Sequence, residues 1–94
     1  MRFVWDEKKN RGNLAKHGIS FETAALVFDD PRAISQIDRV IDGEERWQTV
    51  GLAGGIAVLL VAPTYRDEQG EEILRIISAR KATATERARY DQTI

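Results

Sequence analysis

Residues 72–87, EILRIISARKATATER, combine an apolar strand with the start of a helix. Arg75 stands inside the strand, where a buried guanidinium is costly unless an anion lies opposite it. Arg80 comes shortly before Thr83 and Glu86, which form the Thr-x-x-Glu capping box of a helix start. The exposed N–H groups of such a helix start also favour negative charge. The segment therefore predicts a site for a phosphate, a phosphoryl transition state or a carboxylate of a partner.

The length of 94 residues suits one modest core, and we expect residues 1–94 to form a single domain. The chain has no cysteine, so it offers neither disulfides nor thiolate metal ligands, and a cytoplasmic location is the natural expectation. The longest apolar run, residues 54–63, is about half the length of a membrane span. The N-terminus also lacks the apolar segment of a signal peptide, so we expect a soluble protein.

The net charge of −1 hides a segregation of charge along the chain. Residues 1–19 carry five basic and two acidic side chains, and residues 75–90 carry five basic and one acidic. The intervening residues 20–74 carry four basic and eleven acidic side chains. If the fold brings both ends together, they could form a cationic patch that binds nucleic acid. The alternative is that the N-terminal lysines and arginines only solvate a helix face.

The first third of the chain predicts a strand and two helices. Residues 3–5 favour a short strand, and Asp6 favours the N-cap of a helix that runs to His17 and ends at Gly18. A second helix begins at Ser20, and its apolar residues recur at i, i+3, i+4 and i+7. These residues are Phe21, Ala24, Ala25 and Phe28.

Beyond residue 33 the pattern becomes strand-like. We expect an antiparallel meander of strands at residues 33–40, 47–53, 56–64 and 72–80. Together with a C-terminal helix, these elements predict an α+β fold of order βααββββα, in which an antiparallel sheet packs on two N-terminal helices. A two-residue turn at Gly54 and Gly55 would pair Val50 with Leu59.

That register predicts two unequal sheet faces. The core face would hold Val50, Leu52, Leu59, Val61, Leu74 and Ile76. The opposite, open face would hold Glu45, Trp47, Thr49, Gly51, Leu60, Arg75 and Ile77. Glu45 and Arg75 would then share the open face, either as parts of a site or as a cross-strand ion pair. Strict alternation points Arg46 and Arg80 the other way, although bulges often break alternation.

Five segments in their natural order resemble the BrnT family of bacterial toxins: Phe3-Val4-Trp5-Asp6, Asn13-x-x-Lys16-His17-Gly18-Ile19-x-Phe21, Glu45-Arg46, Arg75-Ile76-Ile77-Ser78-Ala79-Arg80 and Glu86-Arg87-x-x-Tyr90. The resemblance extends over nearly the whole chain. It implies a RelE-like fold, an RNA-cleaving toxin of a type II toxin–antitoxin module, and a DNA-binding antitoxin called BrnA as partner. Operator DNA would then be contacted only through the antitoxin.

RNA cleavage without a metal needs a base for the 2′-hydroxyl, cations for the charge on phosphorus and an acid for the leaving oxygen. Arg75 and Arg80 are our candidates for the phosphate, because guanidinium stays charged and binds two oxygens. Their alternatives are antitoxin docking or pairing with Glu86. Glu45 is the candidate base, and would need a pKa raised by burial. His17 could act as base or acid, although a histidine before a glycine cap is also stabilised by the helix dipole.

Four further residues are candidates for RNA binding. Lys9 and Lys16 could hold the RNA backbone, or could simply be solvated. Trp47 is the stacking platform that the open face offers. Tyr90 could stack a base, although an aromatic residue at that position of a helix more often belongs to a core.

A metal site is not expected from one histidine without cysteine, and no motif for a cofactor occurs. We therefore expect no cofactor. Two other functions stay open: a non-catalytic subunit that binds the antitoxin and assists transcriptional control, and a plain RNA-binding module. The scarcity of aromatic residues on the open face argues against the RNA-binding module.

Overall fold

The computed structural model describes residues 1–92, which form a five-stranded sheet with helices on both faces. The α+β class is confirmed. No helix among these residues is long and apolar enough to cross a membrane. The elements in chain order are β1 (Arg2–Val4), α1 (Glu7–His17), α2 (Phe21–Ala25), a 3-10 helix (Leu26–Asp29), β2 (Ile34–Ile41), β3 (Glu44–Ala53), β4 (Ala57–Glu68), β5 (Glu71–Lys81) and α3 (Ala84–Asp91).

The strand order across the sheet is β1-β5-β4-β3-β2. Strands β2 to β5 are antiparallel to their neighbours, but β1 runs parallel to β5, with Phe3 beside Leu74. The expectation of a wholly antiparallel sheet is therefore wrong at this edge. A strand of three residues is too short for its sequence to encode which edge it joins or in which direction.

Helix α1 has the predicted ends. The Asp6 carboxylate accepts hydrogen bonds from the backbone N–H groups of Lys8 and Lys9, at 2.8 and 3.3 Å. Gly18 ends the helix in the left-handed conformation that glycine adopts without strain. The buried Asn13 amide joins the helix to β5, because its oxygen accepts the Ala79 N–H and its nitrogen donates to the Ala79 carbonyl.

The second helix is shorter than predicted, because it tightens into a 3-10 helix after Ala25. Its buried residues therefore follow the three-residue period of a 3-10 helix, and Val27 replaces Phe28 as the most deeply buried side chain of that turn. Val27 lies directly over Gly51 of β3. A Cβ atom at Gly51 would come within 2.8 Å of Val27 Cγ1, so this position requires glycine.

The register of β3 on β4 differs by one residue from the prediction. Val50 pairs with Leu60, not Leu59, because Gly54, Gly55 and Ile56 all lie in the connection. Both glycines have positive φ angles, 58° and 74°, and Ile56 is 89% exposed. A shift of one residue turns every β3 side chain to the opposite face.

We call the side of the sheet that carries α1 and α2 the inner face, and the side that carries α3 the outer face. The inner face buries Phe21, Ala24 and Val27 against Ala53, Leu59, Val61, Leu74, Ile76 and Ala79. The outer face buries a smaller cluster of Val50, Leu60 and Tyr90. Val50 and Leu52, predicted on the core face with Leu59, thus lie on the other side, while the predicted inner positions Leu59, Val61, Leu74 and Ile76 of β4 and β5 are correct.

Helix α3 begins with the predicted capping box. Thr83 accepts the Glu86 N–H at 3.2 Å, and the Glu86 carboxylate accepts the Thr83 N–H at 2.9 Å. Glu86 also forms a bidentate ion pair with Arg80, with N–O distances of 2.8 and 3.0 Å. The Arg80 guanidinium, aided by the Thr83 N–H, lowers the pKa of Glu86 from its ordinary value of 4.5 to about 2. The pair therefore holds α3 against the end of β5.

This pair predicts a specific acid sensitivity. The folded state lowers the pKa of Glu86, so its contribution is complete above pH 4.5 and is lost as the pH falls towards 2. With allowance for screening by solvent, the contribution is about 2 kcal/mol. Glu86→Gln preserves a capping-box side chain but removes the charge. We expect its free energy of unfolding to be about 2 kcal/mol lower at pH 7, and the difference to shrink between pH 5 and pH 2.

Urea denaturation at several pH values measures this difference. Glu72→Gln is the matched control, because Glu72 is an exposed residue of β5 and its substitution makes the same change of charge. Parallel pH profiles for wild type and Glu86→Gln would contradict the assignment.

Candidate functional site

Arginine side chains dominate the outer face beyond the area that α3 covers. Arg75 alternates with the inner residues Leu74 and Ile76, and its pairing partner is Thr64. The same alternation along the other strands gives each of the five strands at least one arginine on this face. The set is Arg2, Arg39, Arg46, Arg66, Arg75 and Arg80. This concentration is the main electrostatic feature of the sheet.

Most of these arginines have a neighbouring carboxylate. Side-chain N–O distances are 3.3 Å from Arg2 to Glu71, 3.2 Å from Arg39 to Asp38, 3.5 Å from Arg46 to Glu44, 2.7 Å from Arg66 to Glu68 and 2.8 Å from Arg80 to Glu86. Within residues 1–92, Arg75 has no hydrogen bond or ion pair within 4.0 Å. Its guanidinium is therefore the one that is most available to an anionic ligand.

Arg75 lies between Val4 of the edge strand β1 and Thr64 of β4, beside the start of α1. It lines a shallow depression with Val4, Trp5, Asp6, Glu7 and Arg66. The N–H groups of Lys9 and Lys8 lower the pKa of Asp6, and the charge of Arg75 adds a smaller effect in the same direction. Asp6 is thus an anion at neutral pH that lies near Arg75 without forming an ion pair with it within 4.0 Å.

The two predicted phosphate arginines do share the outer face, which corrects the expectation that Arg80 points away from Arg75. They are five residues apart on β5, about 16 Å at the usual rise of a strand. They flank the outer face from opposite ends, and Ser78 lies between them. Arg80 forms an ion pair with Glu86, which was one of the alternatives that the sequence offered for this residue.

Glu45 does not share a face with Arg75, so this prediction is wrong. The cause is the extra residue in the turn after β3, which places Thr49 opposite the inner residue Val61 and puts Glu45 on the same side as Thr49. Glu45 lines an exposed depression with Tyr65 and the β2–β3 turn.

His17 occupies the last turn of α1 and is half-buried. Asn13, one turn earlier, is bonded to Ala79 near the end of β5, whereas Glu45 lies beside Tyr65, whose partner is Leu74. His17 and Glu45 are therefore near opposite ends of the inner face. The structure does not bring the candidate base and acid together with the arginines.

Of the four residues predicted to bind RNA, Trp47 borders the same small cleft as Arg39 and Arg46, and Lys9 lies close to Asp6, on which the charge of Arg75 also acts. Lys9 and Lys16 are exposed on α1, which packs on the inner face, and Lys9 is the one nearer to Arg75, because the start of α1 lies beside that residue. Trp47 is half-buried on the inner face, and its ring meets the Tyr65 ring edge-on at 6.1 Å. Tyr90 is 4% exposed and its hydroxyl donates to Asp30, so its ring is part of the core and offers no face to a base.

Sequence reasoning missed three of the outer-face arginines, Arg2, Arg39 and Arg66, and placed Arg46 on the face away from Arg75. Arg39 and Arg66 each lie next to an acidic residue, which in the sequence is typical of a solvated hairpin end. Only the strand register shows that they share a face.

Comparison with known proteins agrees with this architecture. Residues 5–86 match the family model described as the ribonuclease toxin, BrnT, of type II toxin–antitoxin systems. The chain is also similar to the crystal structure of the Brucella abortus ribonuclease toxin BrnT, with a TM-score of 0.59 and 25% sequence identity over 88% of this chain and 97% of that one. No curated protein matches the chain. Because the family model extends over most of its length, the chain belongs to the BrnT family of ribonuclease toxins of type II toxin–antitoxin systems.

Proposed function

We propose that the protein is a metal-independent endoribonuclease toxin that binds RNA on the outer face of its sheet and is neutralised by an antitoxin. The observation that carries the proposal is the set of six outer-face arginines beside α3. RNA binding rests first on neutralising phosphates, and arginine is the side chain best suited to grip them. Family membership supports the ribonuclease activity, and we place the protein in the cytoplasm with its substrate.

Arg75 and Arg80 are the proposed phosphate-binding residues of the catalytic step. Attack by the 2′-hydroxyl on the adjacent phosphorus builds negative charge on the phosphoryl oxygens. The unpaired guanidinium of Arg75 can bind these oxygens. The guanidinium of Arg80 can also bind them, and its orientation is held by Glu86. Glu86 itself is a poor candidate for the base, because a pKa of about 2 leaves it with little affinity for a proton.

Glu45 and His17 stay in the proposal as candidate base and acid, but their placement weakens their part in it. Both lie on the inner face, so RNA held by the outer arginines would have to pass an edge of the sheet to reach them. Lys16 has the same difficulty as an RNA-binding residue, whereas Lys9 lies near Asp6 and Arg75, and Trp47 borders a cleft with Arg46. Electrostatic stabilisation by the arginines is therefore the main catalytic effect that we propose.

The partner that the family implies is an antitoxin, and we propose a BrnA-like protein that contacts operator DNA on behalf of the complex. Edge strand β2 supports a protein partner. Its Ile37, Val40 and Ile41 are 46%, 59% and 38% exposed, which is unusual for three large apolar residues of one strand. The same surface also supports the second candidate function, a non-catalytic subunit that only binds the antitoxin.

The arginine assignment predicts that Arg75→Ala and Arg80→Ala abolish RNA cleavage and toxicity. Loss of a contact made mainly in the transition state should lower the rate about a hundredfold or more, about 2.7–4 kcal/mol. Arg75→Lys should also fail, because an ammonium cannot bind two phosphate oxygens in the same plane. Cleavage of a defined RNA by purified variants measures the effect.

Two controls separate catalysis from folding. Glu86→Gln breaks the same ion pair as Arg80→Ala but keeps the guanidinium, so we expect it to retain most of its activity. Glu45→Gln and His17→Gln test the candidate base and acid, and near-normal rates in both variants would remove these inner-face residues from the mechanism. Full activity of both alanine variants would remove these arginines from the mechanism, and inactivity of Glu45→Gln alone would move the site to the inner face.

Metal independence is a separate prediction. Within residues 1–92, no group of three His, Asp or Glu side chains is arranged to hold a metal ion. We expect cleavage to continue in excess EDTA and to leave a cyclic phosphate or a 3′-phosphate, because the 2′-hydroxyl is the proposed nucleophile. Replacing the nucleotide at the cut site by its 2′-deoxy form should abolish cleavage. Loss of activity with the chelator, or cleavage of the deoxy substrate, would contradict the proposed chemistry.

A further inference from the structure

A small cleft opens on the outer face between the β2–β3 hairpin and the middle of β5. Its volume is about 200 Å³. Arg39 and Arg46 line it on the hairpin side, and the exposed hydroxyl of Ser78 lines it on β5. Ala62 and Ile77 give it an apolar floor. Since Ser78 lies between Arg75 and Arg80, the cleft is continuous with the face on which we place the RNA.

Arg46 is the least satisfied of the arginines that line this cleft. Its Nε atom is buried, and within residues 1–92 it has no hydrogen-bond partner. The Glu44 carboxylate lies 3.5 Å away, but the pair lacks hydrogen-bond geometry. A buried N–H without an acceptor leaves Arg46 without the hydrogen bond that would fix it through Nε, so its guanidinium can turn towards a ligand in the cleft at small cost. The rest of the side chain is about one third exposed and can reach such a ligand.

The other charges in the cleft are compatible with an anion. Asp38 is the one carboxylate among the lining residues, and it is already paired with Arg39 at 3.2 Å. Glu44 lies at the side of Arg46 and is half exposed, so it competes with a ligand without closing the cleft. A guanidinium beside a hydroxyl donor and an apolar floor suits a phosphate that is joined to a sugar and a base.

We propose that this cleft is a subsite for one backbone phosphate of the RNA, anchored by Arg46 with Ser78 as a second donor. The proposal rests on the proposed ribonuclease function and extends the RNA path from the two arginines of β5 across the sheet to the β2–β3 hairpin. Arg46 is a binding residue in this scheme, and the arginines of β5 act at the cleaved phosphate. Arg80 is held by Glu86, whereas Arg46 can exchange its weak contact with Glu44 for the phosphate.

Binding of an RNA that cannot be cleaved tests the subsite apart from catalysis. The probe is a fluorescent 2′-O-methyl oligonucleotide, measured by anisotropy over a range of salt concentrations. Arg46→Ala should weaken binding about 10- to 100-fold and lower the salt slope by about 0.7, the value for one contact with a single strand. Arg11→Ala is the control with the same change of charge, because Arg11 is exposed on α1 over the inner face, and it should bind as wild type does.

Glu44→Gln gives a second test that does not risk the fold. Removing the competing carboxylate should tighten RNA binding about two- to fivefold, whereas Glu72→Gln, on the inner face, should not. If Arg46 served only to pair with Glu44, neither Arg46→Ala nor Glu44→Gln would change RNA affinity. Circular dichroism and thermal unfolding confirm that each variant is folded before binding is compared.

The outcomes separate the two proposals. If wild type cleaves RNA but Arg46→Ala binds the probe as Arg11→Ala does, the subsite is overturned and the ribonuclease function stands. If wild type neither binds nor cleaves RNA, both proposals fall. Inorganic phosphate should compete with the oligonucleotide only weakly, and competition at equal concentration would overturn the RNA subsite in favour of a site for free phosphate.

Discussion

The connection between β3 and β4 is the constraint on which the rest of the structure depends. It consists of Gly54, Gly55 and Ile56, one residue more than the shortest hairpin turn. The extra residue places Gly51 under Val27, where a Cβ atom would come within 2.8 Å. A two-residue turn would put Val50 or Leu52 on that side, where the 3-10 helix leaves no room for a large side chain. The turn and the close packing therefore specify the same register, and this register puts Arg46 and Arg75 on one face.

Helix α3 forms a wall of that face because it is held at both ends. Arg80 binds Glu86 at its start, and Tyr90 donates to Asp30 at its end. Asp30 also accepts the Leu52 N–H at 2.8 Å, which joins the helix to β3. Burial opposes ionisation of Asp30, but the hydrogen bonds from Tyr90 and Leu52 outweigh it and hold the pKa of its carboxyl below the ordinary value. Arg80 and Tyr90, which the sequence suggested as functional residues, therefore hold α3 in place through these contacts.

The sequence predicted the features that depend on residues close together in the chain, and it failed for several that depend on distant residues. The caps at Asp6, Gly18 and Thr83 involve neighbours within four residues, and all three were predictable from local spacing. The inner positions of β4 and β5 were also predictable, because an apolar residue at every second position indicates a buried face. The position of Glu45 was not, since it depends on one residue, Ile56, that belongs equally well to a strand or a turn. The Arg80–Glu86 bond was one of the alternatives that the sequence offered, whereas the parallel pairing of β1 depends on contacts that no local pattern records.

The acidic composition of the chain is compatible with an RNA-binding face because the charges are sorted in space. Five of the six outer-face arginines have a carboxylate from the same or an adjacent strand, or from α3, at 2.7 to 3.5 Å. Apart from the Arg80–Glu86 pair, which holds α3, these ion pairs are largely exposed and add little stability, so their arginines can exchange the carboxylate for a phosphate at small cost. After such an exchange the displaced carboxylate stays in solvent near the RNA. Its negative charge reduces the free energy of binding that each arginine–phosphate contact contributes. In the function that we propose, such a face would bind RNA weakly at positions where pairs are exchanged and most strongly where a guanidinium lacks a good partner, as at Arg75 and Arg46. Because the net charge is −1, no broad positive field attracts every RNA to the surface. We therefore expect the protein to select RNA by the geometry of individual contacts and not by general charge attraction.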